Sequence, residues 1–221
     1  MIISIALRHA LNVVSPSLCA SCGKKPASYP FPICLDCASE VLSSASPLAA
    51  QAGAAVKVHS CLEYTPPVRA CLKSFKFNGN SSLADFFHRI IRSYILHSGL
   101  RKEKFDLIIP VPLHVSRKRK RGYNQSDLIA AGAASSLSAP LKSGLLVKTR
   151  NTPPQSGLGK KERSENLRGS FAVSDPSLVK GRTILLVDDI MTTGATVEEC
   201  SSTLERCGSS MISALTLARV F

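Results

Sequence analysis

The 221-residue sequence predicts an α/β protein: a mainly parallel sheet flanked by helices, with a small N-terminal four-cysteine zinc module. Two observations carry this. Short apolar runs of strand length alternate with segments whose apolar residues recur at helical spacing, the pattern of strand–helix–strand units. Ahead of them, Cys19-x-x-Cys22 and Cys34-x-x-Cys37 stand in a loop-rich stretch that has no room for a core of its own.

The elements follow in order. Residues 1–16 predict a short amphipathic helix with Ile3, Leu7, Leu11 and Val14 on one face. Residues 17–40 are punctuated by Cys, Pro and Gly, and residues 42–54 are small and polar, as in a linker or a frayed helix end. This divides the chain into residues 1–50, the four-cysteine segment with its linker, and residues 51–221, the α/β domain. Val56, Val58, Leu62 and Tyr64 alternate and predict a half-buried strand. Pro66-Pro67 opens a short helix ending near Lys73. Ser81 or Ser82 caps a helix whose stripe is Leu83, Phe86, Phe87, Ile90, Ile91 and Tyr94, with Gly99 as its stop. Leu107 to Pro112 reads as a strand buried on both faces, and Ser126–Leu137 as a helix. Thr183–Val187 is a second buried strand. A helix with Val197, Cys200, Leu204 and Cys207 inside follows it, stopped by Gly208, and Met211–Val220 is the last strand.

Charge is unevenly placed. The chain carries 28 Lys and Arg against 15 Asp and Glu, a net +13. Residues 101–170 alone hold fifteen cations and five acids, whereas residues 1–50 are near balance. A field concentrated this way suits an anionic partner: a phosphate ligand, a nucleic acid or a lipid surface. The competing reading is a solubilising face. The start has no cationic lead-in and Arg8-His9 interrupts its apolar stretch, so no export signal is expected. No window reaches the ~20 apolar residues of a membrane span. The expected location is the reducing cytoplasm, where cysteines serve as thiols or metal ligands.

The two Cys-x-x-Cys turns, eleven residues apart, fit a tetrahedral site. Each turn aims two thiolates at one point, and four complete a closed, structural Zn²⁺ site of Cys19, Cys22, Cys34 and Cys37. A thioredoxin-like redox pair would need one such turn after a strand, and disulfides conflict with the compartment. Structural zinc contributes ~10–16 kcal/mol to such modules. Cys61, Cys71, Cys200 and Cys207 lie in apolar patterns and read as core.

The most informative stretch runs from Thr183 to Thr196. A buried strand delivers Asp188 and Asp189 to its tip. The loop Met191-Thr192-Thr193-Gly194-Ala195-Thr196 follows and leads into a helix. Backbone N–H groups at that helix start, with the threonine hydroxyls, form an anion site fit for a phosphate monoester. The carboxylates stand about one sugar away and suit ribose hydroxyls. A Walker loop is excluded, because GxxxxGK[ST] is absent.

Val187-Asp-Asp-Ile-Met-Thr-Thr-Gly-Ala-Thr196 resembles the phosphoribosyl pyrophosphate (PRPP) signature of type I phosphoribosyltransferases. Ile109-Pro-Val-Pro-Leu-His114 with Arg121-Gly122-Tyr123-Asn-Gln125 resembles a block of the ComF competence-protein family, as does the stretch from Arg150 through Lys161 and Arg163 to Phe171. Lys73-Ser-Phe-Lys76-Phe77-Asn-Gly79 is similar to that family's early Lys-Phe-x-Gly piece, and the double Cys-x-x-Cys belongs to it too. Gly159 and Lys160 depart mildly from its consensus. The resemblance covers residues 17–221.

The resemblance implies a type I phosphoribosyltransferase-like fold. It implies that Asp188 and Asp189 hold the ribose hydroxyls and steady the developing positive charge, and that Met191, Thr192, Thr193, Gly194, Ala195 and Thr196 wrap the 5′-phosphate. His114, Arg117, Arg121, Gly122 and Gln125 fall in the segment that grips pyrophosphate, Leu113–Gln125, read as a loop. Arg150, Lys161 and Arg163 fall in a flexible hood. The plainer readings are that His114 is a loop contact and that Lys161 and Arg163 pair with Glu162 and Glu165. The expected ligand is PRPP, or a ribose 5-phosphate type, with Mg²⁺. The family also implies DNA uptake in natural transformation. Arg117, Lys118, Arg119, Lys120 and Arg121 then form a basic face for single-stranded DNA, with Tyr123 as its stacking residue and competence or recombination proteins as partners. A phosphoribosyltransferase of nucleotide or amine metabolism without a DNA role is the second reading. No residue marks the acceptor.

Overall fold

A computed structural model describes residues 17–28, 30–45, 49–52, 56–153 and 159–220. The helix expected over residues 1–16 lies outside them. The helices and strands, in chain order, are α1 (Leu35–Ser43), β1 (Ala49–Ala52), β2 (Val56–Glu63), α2 (Pro66–Phe77), α3 (Leu83–His97), β3 (Leu107–Pro110) and α4 (Val115–Arg121). They continue with α5 (Gln125–Leu137), β4 (Leu146–Lys148), α6 (Lys160–Leu167), β5 (Phe171–Val173), β6 (Thr183–Met191), α7 (Ala195–Arg206) and β7 (Met211–Arg219).

The main sheet has the order β1-β2-β7-β6-β3. β2, β7, β6 and β3 are mutually parallel, and only the edge strand β1 is antiparallel. The expected mainly parallel sheet is therefore present, with helices on both faces. Along β6, side chains alternate between the layers: Leu185 and Val187 join one core, Ile184 and Leu186 the other. The first core holds α3, α5, α2 and the module cysteines Cys19, Cys34 and Cys37, with the less buried Cys22 packed at its margin. The second is closed by α7 and by the β4–β5 hairpin. Residues 184–187 are fully buried, as a parallel strand covered on both faces must be.

Four expectations change. Part of the 42–54 linker is strand β1, which pairs with β2 from Ala49↔His59 to Ala52↔Val56. β2 is an interior strand rather than a half-buried one: His59, Ser60 and Cys61 are buried beside Val58 and Leu62, because β7 and the helices enclose it. α2 runs on to Phe77, four residues past Lys73, carried by the burial of Ser74 and Phe75. The Leu113–Gln125 segment is not a loop throughout, since residues 115–121 form the helix α4. No helix among the described residues is long and apolar enough to cross a membrane.

The layers approach closely where α3 crosses α5. A Cβ on Gly132 would stand 2.4 Å from the His88 ring, so only glycine fits there. His88 Nε2 lies 2.7 Å from the Leu128 carbonyl in the same crossing.

Candidate functional site

β6 outruns its neighbour. The last β3–β6 pair is Pro110↔Val187, and Val111 N–H donates to the Val187 carbonyl at 2.8 Å. Beyond this point β3 has turned away, while β6 stays paired with β7 through Met191↔Arg219. Asp188 and Asp189 are therefore still in strand conformation, not at a strand tip as expected. They stand at the position where one flank of the strand opens.

The N-terminus of α5 fills that flank. Asn124 donates from Nδ2 to the Val111 carbonyl at 3.1 Å, and its own Oδ1 caps the helix by accepting from Ser126 N–H at 3.4 Å. Ser126 Oγ donates to Asp188 Oδ1 at 3.0 Å, and the Asp189 N–H donates to the same oxygen at 2.8 Å. Burial and the adjacent Asp189 charge nevertheless push the Asp188 carboxyl up to about 7, against the opposing pull of Lys76. Asp189 is buried, and its Oδ2 forms an ion pair with Lys76 Nζ at 2.8 Å.

Beyond the acids, residues 190–197 and Asp188 line a small cavity of about 50 Å³. Gly194 caps α7 with φ +85, a left-handed conformation that glycine adopts freely and other residues resist. Thr193 Oγ1 accepts from the Ala195 N–H at 3.5 Å. The first amides of a twelve-residue helix and its positive dipole end face this cavity, a setting for an anion. Met191, Thr192, Thr193, Gly194, Ala195 and Thr196 are thus brought together, next to Asp188.

The basic helix α4 divides into two faces. Arg117 and Arg121, one turn apart, point inward. Arg117 donates to the Thr152 carbonyl, and Arg121 donates to Gln125 Oε1 while lying 5.3 Å over the Phe77 ring. Arg121 also feels the Asp189 charge. Lys118, Arg119 and Lys120 face outward and are exposed, with Lys118 3.6 Å from Asp127. His114 caps the helix, its Nδ1 accepting from Ser116 N–H at 3.3 Å. Gly122 ends the helix at φ +88. Tyr123 packs 5.7 Å from the Phe75 ring and donates its hydroxyl to the Phe75 carbonyl, so part of its surface is already covered.

Arg150 braces the segment from Asn166 to Ser170. Its guanidinium donates to the Arg168 carbonyl at 2.6 Å, the Asn166 carbonyl at 3.3 Å and Ser170 Oγ at 3.1 Å. Lys161 and Arg163 lie on α6, and residues 154–158 fall outside the described part. Two residues that contact the acids are not marked as site residues by the sequence: Lys76 and Ser126. Lys76 has a signal in the Lys-Phe-x-Gly piece, whereas Ser126 has none.

The second cluster is Cys19, Cys22, Cys34 and Cys37, whose Sγ atoms all lie within 4.8 Å of one another. Tetrahedral metal–thiolate bonds of ~2.3 Å give sulfur–sulfur edges of ~3.8 Å, so the four can hold a metal ion after slight contraction. The Cys34 N–H donates to Cys19 Sγ at 3.2 Å. Backbone N–H groups of Lys24 and Lys25 pull the Cys22 thiol down to about 6, while burial pushes Cys37 up to about 12.

The chain is similar to proteins already described. The phosphoribosyl transferase domain family matches residues 94–220. Competence protein F of Haemophilus influenzae is 30% identical over 227 residues, covering 97% of this chain and 96% of that protein. The DNA utilization protein YhgH of Escherichia coli K12 is 34% identical over 161 residues, 71% of this chain and 69% of that one. Competence protein ComFC of Bacillus subtilis is 27% identical over 96% of this chain and 82% of its own. Among solved structures, adenine phosphoribosyltransferase of Thermoanaerobacter pseudethanolicus is similar at a TM-score of 0.41 and 15% identity, covering 82% of this chain and 98% of that one.

Proposed function

This chain belongs to the competence protein F family and carries its phosphoribosyl transferase domain, and we propose that it binds PRPP with Mg²⁺ and serves DNA uptake. One observation carries the ligand. Asp188 and Asp189 stand where β6 loses a neighbour, and the cavity of residues 190–197 opens beside them at the start of α7. A ribose 5-phosphate moiety has two complementary ends, hydroxyls for the carboxylates and a phosphate for the helix amides.

The chemistry open to such a site is displacement at ribose C1. The C1–O bond to pyrophosphate breaks, pyrophosphate leaves with the electron pair, and an acceptor nucleophile takes its place. Asp188 and Asp189 orient the sugar and offset the positive charge that builds on the ring. Arg117 and Arg121 supply cations on the side from which pyrophosphate departs. The Mg²⁺ that accompanies PRPP supplies charge neutralisation on the leaving group.

The DNA role is supported by the names of the relatives and by the outward face of α4. Lys118, Arg119 and Lys120 are exposed on one short helix and suit a phosphodiester backbone. The ion in the four-cysteine cluster is proposed to be Zn²⁺, structural because all four positions are filled by thiolates.

Calorimetric titration tests the ligand reading. Wild type is expected to bind PRPP with Mg²⁺, and the double variant Asp188→Asn with Asp189→Asn is expected to lose binding. Equal binding by both proteins would refute the ribose assignment. Gel retention of short single strands tests the DNA role. PRPP turnover without any strand retention would favour the phosphoribosyltransferase of nucleotide or amine metabolism instead.

A further inference from the structure

The outward stripe of α3 carries Arg89, Arg92 and Leu96, spaced so that all three share one face of the helix. Both arginines are exposed, and Leu96 is 48% exposed. With His97 they line a cavity of about 510 Å³, whose lining includes Ser135 and Ser136 of α5. Adjoining it is a second cavity of about 360 Å³, lined by Leu42 of α1, Cys61 and Leu62 of β2, and Ile90 and Tyr94 of α3. Ser93 and His97 border both cavities, which therefore form one groove with a cationic half and an apolar half.

No Asp or Glu lines either cavity. Neither Arg89 nor Arg92 has an ion pair among the described residues. Arg89 is held in place by the Phe31 ring, 4.9 Å beneath its guanidinium. The apolar half is recessed: Cys61, Leu62 and Ile90 are at most 6% exposed, whereas Leu42 beside them is 53% exposed. An exposed leucine in each half and two unneutralised arginines distinguish this groove from a merely solubilising surface, where both signs of charge mix.

We propose that this groove is a docking site for a partner protein's peptide segment that carries carboxylates next to a large apolar side chain. The carboxylates meet Arg89 and Arg92, and the apolar side chain enters the slot beside Leu42 and Tyr94. Ser93 and Ser135 are exposed and offer hydroxyls to the peptide backbone. From Arg89 to Leu96 the helix rises ~10 Å, which about three extended residues cover at ~3.3 Å each. A nucleic-acid strand would satisfy the arginines and leave the apolar slot empty. A flat bilayer would reach Leu42 and Leu96 and miss the recessed residues between the two halves. The proposal is independent of the PRPP reading, because no residue of the groove belongs to the acids, the α7 turn or α4.

The test selects random short peptides displayed on phage against the full chain, after subtraction on the Leu42→Asp, Arg92→Glu double variant. The retained pool is expected to pair Asp or Glu with Leu, Ile or Phe. A labelled synthetic peptide from that pool, read by fluorescence anisotropy, should bind Arg92→Glu and Leu42→Asp each about tenfold or more weakly than wild type. Its amide version, with Asn and Gln for Asp and Glu, should lose as much. Both substituted side chains are exposed, so melting temperatures near that of wild type are expected; Arg92→Gln and Leu42→Ser repeat the comparison if either variant melts early. A pool without acidic residues, or peptides that bind the variants like wild type, overturns the proposal. So does loss of oligothymidine or of phosphatidylglycerol vesicles from the same variants without any acidic peptide selected, which would assign the groove to nucleic acid or to lipid.

Discussion

Lys76 Nζ meets Asp189 Oδ2 at 2.8 Å, joining the last turn of α2 to the acidic end of β6. Asp189 is 5% exposed and Lys76 19%, so the pair is largely withdrawn from water. Removing one partner of such a pair leaves the other charged and poorly solvated. Lys76→Ala is expected to cost ~3 kcal/mol, and the Lys76→Ala, Asp189→Asn double variant less than the two single costs added together. Thermal unfolding of the four proteins in the cycle measures it. Strictly additive losses would show that the two side chains do not depend on each other.

Asp188 gives the unliganded protein a pH signature. Its carboxyl is raised to about 7, against a value near 3.8 when the chain is unfolded. The folded state therefore binds the extra proton between these values, and the stability from this group is full below pH ~4 and lost as pH rises through ~7. Asp188→Asn carries no such dependence. Its melting temperature relative to wild type is expected to rise from pH 4 to 7 and then level off. A difference that stays flat across this range would contradict a raised carboxyl at position 188.

PRPP should bind the ionised acid. Ribose hydroxyls donate to a carboxylate, so affinity is expected to fall as Asp188 takes up its proton. Between pH 8 and pH 6 the ionised fraction drops about tenfold for a group titrating near 7, and the dissociation constant should rise by a similar factor. Titration calorimetry at the two pH values reads this directly. The opposite trend would mean that the sugar prefers a protonated Asp188.

The outward face of α4 predicts a salt dependence. Single-stranded binding that neutralises phosphates loses affinity with salt at a slope of ~0.7 per contact. Replacing Lys118, Arg119 and Lys120 by alanine should flatten the logarithmic salt slope by ~2, and Tyr123→Leu should change it little. Fluorescence anisotropy with a labelled oligonucleotide measures both. An unchanged slope in the triple variant would exclude these three side chains from the nucleic-acid face.

Gly132 marks the tightest point between α3 and α5. An alanine methyl there would overlap the His88 ring at 2.4 Å. Gly132→Ala is expected to destabilise by ~1–3 kcal/mol, despite the better helix propensity of alanine. Denaturant unfolding gives the value, and Gly132→Ala with His88→Ala should recover part of the loss.

Much of the fold was readable because parallel strands and amphipathic helices write their periods into the chain. Leu83 to Tyr94 and Thr183 to Val187 are such segments, and the structure buries both. Residues 115–121 carry no helix signal, because five consecutive cations have no apolar stripe and that helix has no buried residue. The hairpin of β4 and β5 escaped because three-residue strands are too short to show alternation. At the site, the acids and the Thr-rich turn stood side by side in the sequence and were visible together. Lys76 and Ser126 reach the acids from two separate elements, and such meetings are made by tertiary packing alone. The end of β6 is set in the same way: its neighbour β7 keeps pairing as far as Met191.

The cysteine knuckles do not hang from the molecule as a detachable bead. Cys19, Cys34, Cys37 and Val41 share one core with Cys71, Phe75 and Phe86, and the Arg89 guanidinium lies 4.9 Å over the Phe31 ring across the same seam. A fragment trimmed to begin at β2 would bare that seam to solvent and offer a sticky oily face to its neighbours. Anyone preparing the protein for crystals or assays therefore needs the amino-terminal knuckles in the tube, even when the question concerns only the acids of β6.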